Sequence, residues 1–273
     1  MTWAWSAVAV AIGVAVGGLL ALMGLRADPV PLRRTNHAGR PVPAVLGLAL
    51  VGGLLLGVVA TRALEGGGFG PVEAVSMAAV VLVAAAGLLD DLGGGEERGF
   101  RGHLGGLLRG HPTTGVLKLV VGIGSGVWLG LVIGGGPTRV TATAVLVAAA
   151  ANLWNALDVR PGRSVKWGIL ALVPVLAVAG EAGMGPVAGA ALGAALAVLP
   201  FDLAERGMLG DAGSNPLGLV AGAGLAVILP TPWVVVAAAA AVLLQVAAET
   251  VTISRVVDAV PPLRWFDRLG RRS

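Results

Sequence analysis

Long apolar runs separated by short polar stretches occur along the whole chain, and they restrict its fold more than any other feature. Several exceed the roughly 18 residues that a helix needs to cross a bilayer. Charged residues make up only 12% of the 273 residues, about half the share of a soluble domain, so neither a soluble globule nor a disordered chain is expected. Nine apolar segments are predicted as membrane-spanning helices, at residues 3–25, 43–62, 71–91, 114–134, 139–158, 165–181, 184–200, 216–231 and 232–255.

The sequence therefore predicts an all-α fold, a polytopic membrane helical bundle. Some segments are short or interrupted by glycine, so counts of eight and ten spans stay open. We interpret residues 1–273 as a single integral membrane domain, in which residues 256–273 form a basic cytoplasmic tail. Small residues four positions apart predict that several helix backbones approach one another closely. These pairs are Gly13/Gly17, Gly126/Gly130 and Gly189/Gly193.

The distribution of lysine and arginine predicts the orientation, because positive residues are enriched in cytoplasmic loops. With the N-terminus outside, only Arg62 and Arg139 face outward, and the other 17 of the 19 basic residues lie on or near the cytoplasmic side. The C-terminus is then cytoplasmic, and the protein is a multi-pass protein of the cell inner (plasma) membrane. The same bias accounts for the net charge of +4, so we expect no nucleic-acid partner.

Three sets of acidic residues lie at the predicted cytoplasmic ends of spans. Asp90 and Asp91 close the third span in GLLDDLGGG, Asp158 closes the fifth in NLWNALD, and Asp211 precedes the eighth in MLGDAGSNPLG. Charges within or beside the hydrocarbon region are costly and usually functional. The topology puts all three sets on one side at one depth. We therefore expect a single site at the cytoplasmic face, rather than three separate markers of the membrane interface.

The residue types at these positions favour a hard metal ion. The chain has no cysteine, which excludes thiolate sites and cysteine nucleophiles. Clustered carboxylates without thiolates favour Mg²⁺ or Mn²⁺. Asp90 and Asp91 diverge by about 100° on a helix, so one is expected to hold a metal while the other takes a proton or orients a neighbour.

Polar residues near the acids predict how a ligand is held. Asn152 and Asn155 share a helix face with Asp158, and their amides suit hydrogen bonds to a base or a sugar. A glycine-rich turn leads into the eighth span, where backbone N–H groups can hold phosphate. The residues of this turn are Gly210, Gly213 and Ser214. Cationic partners for phosphate are expected at Arg98, Arg101, Arg109 and Lys118. The isolated histidines are His37, His103 and His111, and we expect them to be solvated rather than metal-bound.

The three motifs, in this order and topology, resemble those of the polyprenyl-phosphate N-acetylhexosaminyl-1-phosphate transferases, the superfamily of phospho-N-acetylmuramoyl-pentapeptide transferase. The segment 36–43, NHAGRPVP, resembles the first cytoplasmic loop of that family, and the similarity runs from about residue 30 to residue 267. The resemblance implies Mg²⁺-dependent transfer of a sugar-1-phosphate from a UDP-sugar to a polyprenyl phosphate, with release of UMP. Its implied partners are the polyprenyl phosphate lipid, the nucleotide sugar, the membrane and a second copy of the chain in a homodimer. Such reactions supply precursors for cell-envelope polysaccharide or peptidoglycan.

The resemblance also implies roles for individual residues. Asp90, Asp91 and Asp211 match the catalytic acids, and Asp211 together with Asp91 would hold the metal. One of the paired acids would deprotonate or orient the lipid phosphate, or act as a nucleophile, and the sequence leaves these alternatives open. The implied substrate-binding residues are His37, Lys118, Asn152, Asn155, Asp158, Gly210, Gly213, Ser214 and Arg264.

The sequence departs from the family pattern at residues that recognise substrate. Pro161 stands where the family has a second aspartate after Asp158, and the segment 255–267 lacks the histidine cluster of many members. In that segment Arg264 is expected to pair with phosphate, and Trp265 to stack on a base or lie at the interface. These departures favour an unusual donor sugar or nucleotide.

Two alternatives remain open. The first is a catalytically silent relative that binds polyprenyl phosphate or an envelope-assembly partner. The second is an ion-coupled transporter, which ranks last because the acids lie at one interface rather than at mid-span.

Overall fold

The computed structural model describes residues 2–93, 114–178, 183–250 and 253–271. Within these ranges the fold is helical apart from one small hairpin. The long helices are α1 (Thr2–Ala27), α2 (Leu46–Glu65), α3 (Pro71–Gly93), α4 (Thr114–Ile133), α5 (Gly136–Leu157), α6 (Arg163–Val178), α7 (Gly185–Leu203), α8 (Asp211–Ile228) and α9 (Thr231–Thr250). Two short helices follow them, α10 (Ile253–Ala259) and α11 (Pro261–Arg268).

Each of the nine predicted apolar segments overlaps one of the long helices. In the described ranges, seven helices are long and apolar enough to cross a membrane, namely α1 to α5, α7 and α9. Helix α6 has only 16 residues, and α8 begins with a polar turn that includes Asp211 and Ser214. The described part of the chain is thus helical apart from the hairpin and has seven candidate membrane spans, and a total of nine crossings stays a prediction.

Helix α8 lies at the centre of the bundle. It packs against α3, α5 and α6, and also contacts α2. Most of its side chains are buried, from Ala212 near its start to Ala226 near its end. Because α8 is enclosed by helices from several parts of the chain, they together fix the position of its first residue, Asp211.

The predicted pairs of small residues lie where helices touch. Helix α1 packs on α7, where a Cβ atom added to Gly13 would lie 2.4 Å from the carbonyl oxygen of Ala190. A Cβ atom on Gly193 of α7 would lie 2.1 Å from the carbonyl oxygen of Val10. On α4, a Cβ atom on Gly126 would come within 2.6 Å of the α5 backbone. The predicted close approach of these helices is therefore confirmed.

Between α1 and α2 the chain forms a hairpin that the sequence did not predict. Strands β1 (Arg33–Thr35) and β2 (Pro41–Pro43) pair in antiparallel fashion. Asn36 stabilises the turn, because its Oδ1 accepts two backbone N–H groups of the turn at 3.0 and 2.9 Å. Its Nδ2 donates to Glu205, at the end of α7, over 2.8 Å. This contact attaches the tip of the hairpin to the bundle.

The segment predicted as a basic tail forms α10 and α11, and α11 is docked on the start of α6. The buried Arg163 donates to both carboxylate oxygens of Asp267, at 2.7 and 3.1 Å. Lys166 donates to three backbone carbonyl groups at the end of α11, at 2.6 to 3.1 Å. Burial raises the pKa of Asp267, but the Arg163 guanidinium outweighs this effect and holds that pKa below its usual range. An ion pair and a lysine therefore hold the C-terminal segment in place.

Candidate functional site

A lysine between two carboxylates forms the centre of the candidate site. The Nζ atom of Lys118, in the first turns of α4, lies 2.5 Å from Oδ2 of Asp90 and 2.5 Å from Oδ2 of Asp211. Asp90 ends α3 and also accepts a hydrogen bond from the hydroxyl of Thr114. The side chains of Lys118, Asp90 and Asp211 are 14%, 25% and 20% exposed to solvent. The three charges are therefore partly desolvated yet open to a ligand.

Asn155 extends this cluster to α5. Its Nδ2 donates to Oδ2 of Asp211 over 3.2 Å, and its Oδ1 accepts a longer bond of 3.4 Å from the hydroxyl of Ser214. Four helices, α3, α4, α5 and α8, thus each supply one side chain to a continuous polar network. The structure brings together Asp90, Lys118, Asn155 and Asp211, which the sequence placed at four separate span ends.

Asp91 has a different environment from its neighbour Asp90. Its two carboxylate oxygens accept the backbone N–H groups of Asp211 and Ala212, at 3.2 and 3.0 Å. These N–H groups belong to the first turn of α8, where no partner within the helix exists for them. Asp91 therefore caps α8 from the end of α3, and its carboxylate is already used in holding the two helices together.

Two glycines make this capping contact sterically feasible. Gly210, just before α8, has a φ angle of +64°, and a Cβ atom there would lie 2.8 Å from Oδ2 of Asp91. On α3, a Cβ atom at Gly87 would lie 2.3 Å from the carbonyl oxygen of Asp211. Glycine is the residue that tolerates both a positive φ and such close backbone approach. Gly210 is thus required by the geometry of the turn.

The other residues of the glycine-rich turn are packed inside the protein. A Cβ atom at Gly213 would lie 2.3 Å from the Cα atom of Gly47 in α2, and Ser214 is fully buried. The Ser214 hydroxyl donates to the carbonyl oxygen of Gly210 over 2.9 Å. Gly213 and Ser214 make these contacts within the bundle, and their contact with a substrate stays a prediction.

A polar cavity of about 270 Å³ lies beside the cluster. Asp158, which follows the last residue of α5, lines it. His37, at the exposed tip of the hairpin, lines it as well. Arg160 and Pro161, which follow Asp158, complete this side. The cavity thus joins the predicted residues Asp158 and His37 to the turn that leads into α8.

Two predicted residues lie away from the cluster. Asn152 is exposed on α5, and Arg264 is exposed on α11. The predicted phosphate partners Arg98, Arg101 and Arg109 lie outside the described residues, as do the isolated histidines His103 and His111.

Two acids that the sequence analysis did not select also line the cavity. Asp202, near the end of α7, is 4% exposed and accepts the backbone N–H of Gly162 over 2.9 Å. Glu205 receives hydrogen bonds from Asn36 and Arg40 of the hairpin. The position of Asp202 at the end of an apolar segment was a usable sign, since such acids are costly unless they have a partner.

An apolar groove of about 530 Å³ runs along the other side of α5. Trp154 lines the groove, whereas its neighbour Asn155 belongs to the polar cluster. Leu244 and Ala248 of α9 and Leu263 of α11 form the far wall. A polar cluster and an apolar groove thus lie on adjacent faces of the same helix end.

In the described part of the chain, no group of three His, Asp or Glu side chains is arranged to hold a metal ion. Asp90 and Asp211 nevertheless offer carboxylate oxygens on either side of Lys118. Magnesium is often held by one or two carboxylates, with water and substrate phosphates completing its shell. In this structure the Oδ2 atoms of both carboxylates contact Lys118, so Mg²⁺ binding at Asp90 and Asp211 stays a prediction.

Comparison of the chain with models of known protein families and with curated proteins gave no match.

Proposed function

We propose that the protein is an Mg²⁺-dependent phosphoglycosyl transferase, which moves a sugar-1-phosphate from a UDP-sugar to a polyprenyl phosphate and releases UMP. The observation that carries this proposal is the convergence of Asp90, Lys118, Asn155 and Asp211 from four helices at one end of the bundle. These residues match the motifs on which the family resemblance depends. Their partial exposure leaves them accessible to an anionic substrate.

We place the site at the cytoplasmic face of the plasma membrane. Arg62 and Arg139 lie at the ends of α2 and α5 that are remote from the acid cluster. The hairpin arginines, Arg163 and Lys166 lie at the same end as the cluster. This asymmetry favours the orientation expected from the positive-inside rule, with nine crossings and the N-terminus outside.

The polar cavity and the apolar groove fit two chemically different substrates. The polar cavity that contains His37 and Asp158 suits the sugar nucleotide. The apolar groove beside Trp154 suits the polyprenyl chain, whose phosphate would then lie next to Asn155. A water-soluble substrate and a lipid substrate meet most readily at the membrane surface. The end of α5 lies between the polar cavity and the apolar groove and is therefore a suitable meeting point.

In the proposed reaction an oxygen of the lipid phosphate attacks the β-phosphorus of the UDP-sugar. The bond between that phosphorus and the bridging oxygen breaks, and the bridging oxygen leaves with UMP. Lys118 provides a positive charge between the two anions, which reduces their repulsion. Asp90 keeps that ammonium in place.

Asp211 and Asp90 would hold Mg²⁺ in this site. When bound, Mg²⁺ would neutralise charge on the diphosphate and on the departing UMP. This assignment keeps Asp211 as a metal ligand and replaces Asp91 with Asp90, because the Asp91 carboxylate already accepts two backbone N–H groups of α8.

The proposal is tested by incubating the purified protein with undecaprenyl phosphate, Mg²⁺ and a panel of nucleotide sugars while UMP release is followed. We expect turnover with at least one donor and a loss of about 100-fold or more for Asp211→Asn. Asp258→Asn, an exposed carboxylate on α10, is the matched control and should retain the rate. Absence of UMP release with every donor, under conditions in which a related enzyme works, would overturn the proposal.

A second candidate function is that of a catalytically silent protein that binds polyprenyl phosphate. The observation that favours it is the position of Lys118, whose ammonium already occupies the space between Asp90 and Asp211. Pro161, which stands where the family has a second aspartate, also favours a catalytically silent protein. Tight binding of undecaprenyl phosphate without binding of any nucleotide sugar would favour this candidate over the transferase.

A further inference from the structure

Helix α11 has two faces of opposite character. Its inner face carries Asp267, which is buried against Arg163. Its outer face carries Arg264, Trp265 and Arg268, which are all exposed. Residues four apart are neighbours on a helix surface, so the two arginines are adjacent and the indole lies beside them. The outer face is therefore one continuous surface with two guanidinium groups and one amphipathic ring.

The position of α11 places this outer face near the membrane surface. Leu263, on the same helix, lines the apolar groove together with Leu244 of α9. Helix α9 is a candidate span with little burial inside the bundle, and Leu243 and Leu244 are 70% and 57% exposed. Such exposed leucines at a span end face lipid. Since α11 lies beside this end, it lies at the depth where lipid headgroups begin.

The charge of the outer face is uncompensated. Within the described residues neither Arg264 nor Arg268 belongs to an ion pair, whereas Arg163 and Arg271 both pair with Asp267. Trp265 is 67% exposed, which is unusual for a large aromatic side chain in water. Tryptophan and arginine are the residues that anchor helices at the headgroup region of a bilayer.

We propose that α11 is an interfacial helix whose outer face binds the headgroups of anionic phospholipids in the adjacent leaflet. The guanidinium groups of Arg264 and Arg268 match lipid phosphates in charge and geometry, and the Trp265 ring inserts at the same level. This inference does not depend on the transferase activity, because it concerns a surface that lies outside the acid cluster.

The contact has a consequence for the rest of the molecule. Asp267 connects α11 to Arg163, the first residue of α6, and Arg271 donates to the carbonyl oxygen of Pro161 over 2.9 Å. Both partners follow Asp158 closely in the chain. Binding of α11 to the membrane surface therefore steadies the turn between α5 and α6 that lines the polar cavity.

The test uses the full-length chain, whose lack of cysteine allows a single label. Leu269→Cys, just after α11, is labelled with a polarity-sensitive fluorophore, and the protein is reconstituted in phosphatidylcholine nanodiscs with increasing fractions of phosphatidylglycerol. We expect a blue shift that grows with the phosphatidylglycerol fraction at about 0.15 M salt and weakens at about 1 M salt.

Variants that remove positive charge distinguish lipid binding by the outer face of α11 from a general effect of the protein's charge. The Arg264→Gln/Arg268→Gln pair should raise the phosphatidylglycerol fraction needed for a half-maximal shift by about fivefold or more. The control pair Arg26→Gln/Arg206→Gln removes two other exposed positive charges and should leave the half-maximal fraction unchanged. An equal shift in nanodiscs of pure phosphatidylcholine, or an unchanged response in the Arg264→Gln/Arg268→Gln protein, would overturn the proposal.

Discussion

The carboxylate of Asp91 accepts the backbone N–H of Asp211 over 3.2 Å, so two residues of the candidate site are joined through a helix cap. Asp90, one residue earlier, points to Lys118 instead. Adjacent residues on a helix diverge by about 100°, and here that divergence separates a carboxylate that caps α8 from one that pairs with Lys118. The paired acids of the motif therefore have unequal roles.

The first prediction concerns Asp91. Asp91→Ala removes the acceptor for two N–H groups at the start of α8, and loss of a helix cap costs about 0.5–2 kcal/mol. We expect the free energy of unfolding to fall by about this amount, measured by thermal or denaturant unfolding in detergent. Asp258→Ala, on the exposed side of α10, is the control and should unfold like the wild type. Unchanged stability of Asp91→Ala would contradict the capping role.

The second prediction separates Asp90 from Asp91 by activity. In Asp90→Asn, Lys118 loses one of its two carboxylate partners while the cap of α8 is intact. We therefore expect UMP release to fall by about 100-fold or more with the unfolding midpoint close to that of the wild type. The reverse pattern, a normal rate with a much lower midpoint, would show that Asp90 is the structural acid of the pair.

The third prediction concerns Gly210. Gly210→Ala introduces strain at φ +64° and also a Cβ atom 2.8 Å from Asp91. Gly39→Ala is the control for a positive φ alone, because Gly39 has a φ angle of +76° and nothing within 4 Å of its Cβ position. A left-handed φ costs an alanine about 1–2 kcal/mol, which is the loss expected for Gly39→Ala. Gly210→Ala should lose more, because a ψ angle of −177° at that φ is almost restricted to glycine and because its Cβ atom meets Asp91. Equal losses in the unfolding experiment would show that the approach of Asp91 does not limit this position.

The fourth prediction concerns pH. The pKa of Asp267 is lowered in the folded protein by Arg163, although burial opposes this. A lowered folded-state pKa gives a stability contribution that is complete above the unfolded pKa of about 4 and is lost as the pH falls through the folded pKa. We therefore expect α11 to detach only below about pH 4, seen as increased mobility of a spin label at Leu269→Cys in detergent.

The variant Asp267→Asn provides the comparison for this titration. It leaves the buried Arg163 without its carboxylate partner, which costs about 3–5 kcal/mol in known buried pairs. The label should then be mobile at every pH. A label whose mobility in the wild-type background rises already at neutral pH would contradict the assigned direction of the Asp267 shift.

Much of the helical fold was predictable because hydropathy alone identifies apolar segments. Each of the nine segments overlaps a helix, although α8 begins at Asp211 rather than at residue 216. The polar start of that helix has no apolar pattern, and the helical turn there depends on the cap from Asp91. The hairpin at 33–43 was missed because strands of three residues carry no periodicity.

The candidate site was predictable at the level of which residues meet, because span ends on one side of a membrane lie at similar depth. The distinct environments of Asp90 and Asp91 were not, since they depend on the side from which α8 approaches α3. The burial of Gly213 against Gly47 depends likewise on tertiary packing. The pairing of Arg163 with Asp267 joins residues 104 positions apart, and no local pattern indicates such a contact.

The enclosed position of α8 has a consequence for how proteins of this design can diversify. A helix surrounded by backbone contacts as close as that between Gly47 and Gly213 tolerates few substitutions, so the position of Asp211 at its start is fixed by the packing. The hairpin contacts the bundle through Glu205 and through the carbonyl oxygen of Pro43, which accepts the backbone N–H of Met208. A new ligand preference is then most easily acquired by a change in the hairpin sequence, while the transmembrane helices stay the same.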